Sequence, residues 1–312
     1  MELINKGKVK GVYAVNDKEL EFLFSDRISV FDQIIPSEIP DKGESLCRES
    51  AFWFKKVEDM GVKTHFISIP SGNKMRVRRV NVIHDYNKMG PSTTNYQLPL
   101  ELILRWYCAG SFYKGVRKDP KVAESAGFEH GYILEYGEKL PEPFFEQTTK
   151  FEPTDRKLTE EEAMKISGLS KRELDNIKEI CINIDEMIQK EVGKRGLIHV
   201  DGKKEFALDE NREPVVIDTF GTADEDRWWD ATEYKKGNCV EYSKEFVRKY
   251  YENEVFYDLP EGKMSHKEAL DMAREKGTKE PPIPALPENM IQKTSELYEN
   301  LYQKITGEAF KR

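Results

Sequence analysis

Between residues 174 and 192 one apolar stripe runs unbroken: Leu174, Ile177, Cys181, Ile184, Ile188 and Val192, at spacings of 3, 4, 3, 4 and 4. That spacing returns side chains to one face of an α-helix and predicts a helix of about six turns. Ser170 with Glu173 forms a capping box at its start, and Gly193-Lys194-Arg195-Gly196 ends it. Strands are predicted straight after it, at Leu197–Val200 and Lys203–Leu208, then a turn at Asp209–Arg212 and a third strand at Pro214–Asp218. A one-sided helix this long must lie against another layer, and those strands supply it.

The rest of the chain alternates less regularly. Residues 8–15 and 19–24 read as a hairpin turning at Asn16-Asp17, and residues 45–60 as a helix carrying Phe52, Trp53 and Val57. Residues 64–69, 75–83 and 99–108 have strand character. Asn87 to Gln97 and 137–157, rich in Gly, Pro and Thr, read as loops. Thr159 with Glu162 is a further capping box, 241–252 and 288–306 are predicted helices, and 277–287 is a Pro-rich linker. Strands dominate the first part and helices the last, so the expected class is α+β rather than a doubly wound parallel sheet. The expected division is a mostly β lobe over 1–97, an α+β lobe over 98–260, and a linker and helix over 261–312 that pack on the body.

Composition narrows the function. The 312 residues carry 49 Lys and Arg against 57 Asp and Glu, a net charge of −8, which suits neither a nucleic-acid backbone nor a membrane surface. No apolar stretch approaches a membrane span, and Met1 to Lys10 is too charged for a signal peptide. Cys47, Cys108, Cys181 and Cys239 are far apart and the five histidines are scattered. Zinc is therefore not expected; reduced thiols in a cytoplasmic monomer or small homo-oligomer are.

Motifs for a P-loop, a dinucleotide fold, a hydrolase elbow or a zinc protease are missing. What stands out is the hairpin after the long helix. If Leu208 faces Val215, Glu205 faces Asp218, and two carboxylates that close need a cation between them. Mg²⁺ with nucleotide phosphates fits that need; a solvent-facing row of charges is the plainer alternative. Lys203 shares the Glu205 side by alternation, and Asp201 is expected just beyond the first strand. Lys8 and Lys10 project to one face, able to hold phosphates or simply to line a solvated edge. Arg105, near Ser111, and Arg227, between Asp224-Glu225-Asp226 and Trp228-Trp229, each need an anionic partner, whether ligand or salt bridge. The tryptophan pair, the thiols and the histidines read as structural, and the acidic run as outward-facing.

In sequence order these residues resemble one family, phosphoribosylaminoimidazole-succinocarboxamide synthase (SAICAR synthetase). The segments are Gly7-Lys8-Val9-Lys10, Ser25-Asp26-Arg27-Ile28-Ser29-Val30-Phe31-Asp32, Ile39-Pro40-Asp41-Lys42-Gly43, Pro99-Leu100-Glu101 through Arg105 to Ser111, Leu140-Pro141-Glu142-Pro143 with Thr148-Thr149-Lys150, Gly196 to Phe206, Ile217-Asp218, and Asp224 with Arg227-Trp228-Trp229. The resemblance implies an ATP-grasp-like two-lobed fold with C-terminal helices. It also implies an ATP- and Mg²⁺-dependent ligase of de novo purine synthesis, joining L-aspartate to carboxyaminoimidazole ribotide (CAIR) through an acyl phosphate.

By the same resemblance, Glu205 and Asp218 would hold Mg²⁺, and Lys8, Lys10 and Lys203 would meet phosphates or developing negative charge. Arg105, Ser111 and Arg227 would hold the ribotide phosphate. Ser29, Asp32, Asp201 and Asp155 would line the cleft, and Asp224 would orient the ribotide. Lys150, with Arg156 and Lys157, would face the aspartate. The chain departs from the family pattern at Gly11, at Trp106 (adding bulk beside Arg105), at Gly202, at Thr219, across 154–157, and at Glu225-Asp226. These departures keep open a paralogous ligase for another acid or amine, and a non-catalytic nucleotide-binding protein.

Overall fold

The computed structural model describes residues 1–260 and 262–311. The chain begins with β1 (Glu2–Lys6), β2 (Lys10–Ala14) and β3 (Glu19–Phe24), then the hairpin of β4 (Arg27–Val30) and β5 (Gln33–Glu38). Helix α1 (Lys42–Asp59), β6 (Lys63–Thr64), β7 (Phe66–Ser71) and β8 (Lys74–Arg78) follow. The first sheet runs β1-β2-β3-β8-β7, all antiparallel. Beyond it come β9 (Tyr96–Gln97), β10 (Leu100–Tyr107), α2 (Gly110–Lys118), α3 (Lys121–Ser125), β11 (Lys139–Thr149), α4 (Glu160–Ser167), α5 (Lys171–Gly193), β12 (Leu197–Leu208), β13 (Pro214–Ile217) and β14 (Arg227–Asp230). The second sheet runs β11-β10-β12-β13-β6, with β9 and β14 also paired to β12. The chain closes with α6 (Ala231–Tyr234), α7 (Glu245–Asn253), the hairpin of β15 (Phe256–Leu259) and β16 (Gly262–Ser265), α8 (His266–Lys276) and α9 (Glu288–Thr306).

The expected stripe is the buried face of α5: all six residues are buried, and the Ser170–Glu173 box caps the helix. It packs on β10 and β12 and leaves the other face of the second sheet to the cleft. Trp228 and Trp229 are fully buried, as core residues.

Several expectations fail. Residues 139–149 form a strand, not a loop. Pro141 and Pro143 are tolerated because β11 lies at the edge, and they fall where the register slips between Arg105↔Phe144 and Tyr107↔Lys139. Residues 197–208 are one strand, so Asp201 lies inside it rather than beyond its end. A register shift between His199 and Asp201 against β14 bulges that strand. Strand β8 stops at Arg78, the 87–97 stretch contains β9, and the C-terminal part carries α8 with its Ser265–Glu268 capping box.

Candidate functional site

The cleft face of the second sheet carries charge. Register sets Arg105 of β10 beside Asp201 of β12, and Asp201 beside Arg227 of β14. Alternation then turns Glu101, Arg105, Asp201, Lys203 and Glu205 to one side. Arg105 is nearly buried and donates to Asp201 (2.9 Å), to Ser111 Oγ (3.1 Å) and to Glu146. Arg227 donates to Asp201 (2.8 Å) and Glu245 (3.4 Å). Burial alone would raise the Asp201 carboxyl, but the guanidinium groups of Arg227 and Arg105 hold it below the usual range.

Lys203 lies at the centre, 2.8 Å from Glu101, 3.2 Å from Glu205 and 3.4 Å from Glu225. Burial works against its charge, yet the surrounding carboxylates, Glu225 first, raise it well above an ordinary lysine. It is a fixed cation. Lys150 reaches Glu205 at 2.6 Å. Asp218 follows β13 in the left-handed region (φ 61°) and pairs with Lys10. Burial would raise it, but Lys10, Lys150 and Lys203 together hold it far below an ordinary carboxyl.

Strand β4 presents Ser29 and the β4–β5 turn presents Asp32. Phe31 and Asp32 are both left-handed (φ 51° and 67°), which aims Asp32 at Lys8 across the cleft mouth, and that hydrogen bond lowers its carboxyl. Asp224 is buried against Lys42 (2.8 Å) and the Tyr298 hydroxyl (2.6 Å).

These groups surround a cavity of about 780 Å³. Lys8, Lys10, Ser29, Asp32, Arg105, Ser111, Lys150, Asp155, Asp201, Lys203, Asp218, Asp224 and Arg227 all line it. Glu205 does not; it is buried beneath, holding Lys150 and Lys203. A second cavity of about 460 Å³ is walled by Val12, Leu20, Phe22, His65 and Ile217 and by the extended segment 78–82. The two cavities share Asn5, Val12 and the charged residues Lys10, Lys150 and Asp218.

The predicted facing pair is not observed. Glu205 pairs with Ile217 and Leu208 with Pro214, one residue away from the expected register. The turn is shorter because the Asp209 carboxylate accepts from the Asn211 and Glu213 N–H groups while Arg212 takes φ 61°. Lys150 lines the main cavity and reaches Glu205, whereas the two cations expected beside it are engaged elsewhere: Arg156 is tied to Glu152 and Glu162, and Lys157 to Glu146. The acidic run is not outward-facing. Asp226 is buried, the Asp224 side chain is 5% exposed against Lys42, and Glu225 meets Lys203. Trp106 adds no bulk beside Arg105, because it points to the other face, its Nε1 3.3 Å from Asp185.

A Cβ at Gly202 would also point to that back face and overlap Asp226, whose carboxylate accepts from the Gly221 N–H (2.9 Å) and lies 2.6 Å from His199 Nε2. Sequence reasoning missed Lys244, which caps the start of α7, and Arg248 within it, both of which line the main cavity, and the whole second cavity. The two basic residues stand four apart, a helical spacing that could have signalled them, but nothing marked which face met the cleft. Lys42 sits in the quoted Ile39-Pro40-Asp41-Lys42-Gly43 run and could have been found there.

Fold and cleft define an α+β enzyme whose main cavity is lined by charged side chains. The thiols of Cys47, Cys108 and Cys181, each pushed up to about 12 by burial, are unsuited to act as nucleophiles. The family model described as SAICAR synthetase matches residues 3–259. Phosphoribosylaminoimidazole-succinocarboxamide synthase of Thermoplasma acidophilum is 50% identical over 308 residues, covering 99% of both chains. Among solved structures, SAICAR synthase from Saccharomyces cerevisiae complexed with SAICAR superposes with a TM-score of 0.75 at 24% identity, covering 100% of this chain and 97% of that one. A SAICAR synthetase (Type-2) in complex with ADP superposes with a TM-score of 0.68 at 25% identity, covering 99% of each. The chain belongs to the SAICAR synthetase family and is a ligase.

Proposed function

We propose that the cleft joins L-aspartate to the carboxylate of CAIR at the expense of ATP, giving SAICAR, ADP and phosphate. The observation that carries this reading is the meeting of two unlike cavities at Lys10, Lys150 and Asp218. The smaller, with its apolar wall, suits a nucleotide base; the larger, lined by charge, suits a ribotide and a dicarboxylate. Phosphoryl transfer belongs where they join.

In the first step a CAIR carboxylate oxygen attacks the γ-phosphorus and ADP leaves. In the second the neutral aspartate amine attacks the acyl carbon, phosphate leaves with that oxygen, and the amine gives up a proton. Lys10, Lys150 and Lys203 neutralise the charge that develops. Arg105, Ser111 and Arg227 hold the ribotide phosphate, Asp201 orients both guanidinium groups, and Asp224 orients the ribotide. Lys8, Lys244 and Arg248 face the aspartate carboxylates, with Ser29, Asp32 and Asp155 along the rim.

The described residues form no self-sufficient metal cage. Asp218, which lines both cavities, fits Mg²⁺ arriving with nucleotide, since that ion commonly takes one or two carboxylates and completes its shell with phosphate and water, whereas Glu205 is buried under Lys150 and Lys203 and lines neither cavity. Bound there, it would neutralise phosphate charge. Trp106 turns away from the cleft, whereas Gly202, Glu225 and Asp226 line the main cavity, and the 50% identity to a phosphoribosylaminoimidazole-succinocarboxamide synthase supports the standard substrates over a paralogous reaction. We assign the lobes to 1–97 and 98–260, with β6 and β9 of the first completing the sheet of the second, and 262–311 as a brace. No helix is long and apolar enough to cross a membrane among the described residues, and the free cysteines suit a reducing cytoplasm. The test is SAICAR formation from CAIR and ATP against a panel of amino acids. Product with aspartate alone is expected; product with glycine or alanine but not aspartate would overturn the assignment.

A further inference from the structure

The family match ends at residue 259, yet α9, over residues 288–306, reaches Asp224 in the wall of the main cavity. Tyr298 is 1% exposed, and its hydroxyl donates to Asp224 Oδ1 at 2.6 Å. Lys42 holds the other oxygen, Oδ2, at 2.8 Å, so the two contacts fix the plane of the carboxylate. Each oxygen keeps acceptor capacity for a ligand, since a carboxylate has about four lone-pair sites. The helix is itself anchored beside the cleft: Ser45 donates to the Tyr298 carbonyl (3.1 Å), and Ser295 donates to the Pro40 carbonyl (3.0 Å). Both partners belong to the 39–45 segment that carries Lys42. Tyr298, Lys42 and Asp224 thus form one unit linking the C-terminal helix, the start of α1 and the loop between Asp218 and Arg227.

We infer that Tyr298 is a positioning residue for the ribotide: it acts through Asp224 and makes α9 part of the substrate site. This inference rests on the ribotide role given to Asp224 above. Lys244, 4.0 Å from Asp224, together with Lys42 keeps the carboxylate charged when the hydroxyl is removed, so that loss releases its orientation and not its ionisation. Tyr298→Phe keeps the ring that fills the core and deletes only the donor.

The test is steady-state kinetics of the full-length wild-type enzyme, Tyr298→Phe and Tyr302→Phe. Tyr302 is a control on the same helix, packed against Phe310. For Tyr298→Phe the CAIR KM should rise about ten-fold, the effect of losing one hydrogen bond to a charged group. Its ATP KM should stay near wild type even as the melting temperature falls by the few degrees that one lost charge-assisted hydrogen bond implies, and Tyr302→Phe should leave both KM values unchanged. Equal rises in both KM values, or a lowered melting temperature with unchanged KM values, would overturn the inference and leave Tyr298 a packing residue. If wild-type enzyme makes no SAICAR from CAIR, the functional assignment fails before this comparison is reached, so the two failures are distinct.

Discussion

Gly202 offers a quantitative test of the sheet's back face. In Gly202→Ala the new Cβ would lie 2.8 Å from both Asp226 Cγ and His199 Nε2, and nearer still to Asp226 Oδ2. Asp226 is nearly buried and has no free space to enter, so its carboxylate must turn away from His199 and the Gly221 N–H. Each lost charge-assisted hydrogen bond costs about 1.5–3 kcal/mol. Replacing a strand glycine returns about 0.5–1 kcal/mol. The net expected loss is about 2–5 kcal/mol, a fall in melting temperature of at least roughly 4 °C at about 2 °C or more per kcal/mol. Asp226→Ser removes the obstructing carboxylate, so the double variant should cost less than the sum of the singles by about 0.5–3 kcal/mol. Denaturant unfolding of all four proteins measures this. Additivity within about 0.5 kcal/mol would refute the claim that the two positions are sterically linked.

Asp218→Asn should leave the fold intact and severely weaken turnover at limiting Mg²⁺; unchanged turnover there would exclude Asp218 from phosphate-end chemistry. Arg105→Ala should raise the CAIR KM roughly ten- to a hundredfold, the effect of losing one charge-assisted contact, with little change for ATP; equal effects on both would make Arg105 purely structural. Burial pushes the His65 imidazole down from 6.5 to about 3. The unfolded chain therefore binds the extra proton first, and stability falls as pH drops from 6.5 toward 3. His65→Gln should flatten that part of the stability–pH curve measured by thermal unfolding.

Local rules carried the sequence reading where one element decided the outcome. The α5 stripe and its capping box specify a buried face and a helix start from side chains within one segment. Alternation likewise placed Lys203 beside Glu205. The Glu205 register failed because it depends on how Asp209 and Arg212 close the turn, and a single residue decides which partner faces it. The strand at 139–149 was hidden by prolines that only an edge position tolerates, and edge position is a property of the whole sheet. Asp226 was misplaced for a related reason: its partner His199 lies 27 residues away, and no local pattern announces such a pair.

The central claim is that CAIR is activated as an acyl phosphate in this cleft. Both oxygens of the CAIR carboxylate can be labelled with ¹⁸O and the products of one turnover with ATP and aspartate analysed by mass spectrometry. The account predicts one labelled oxygen in the released phosphate and one in the SAICAR amide carbonyl. Unlabelled phosphate, with ADP formed in step with SAICAR, would contradict it.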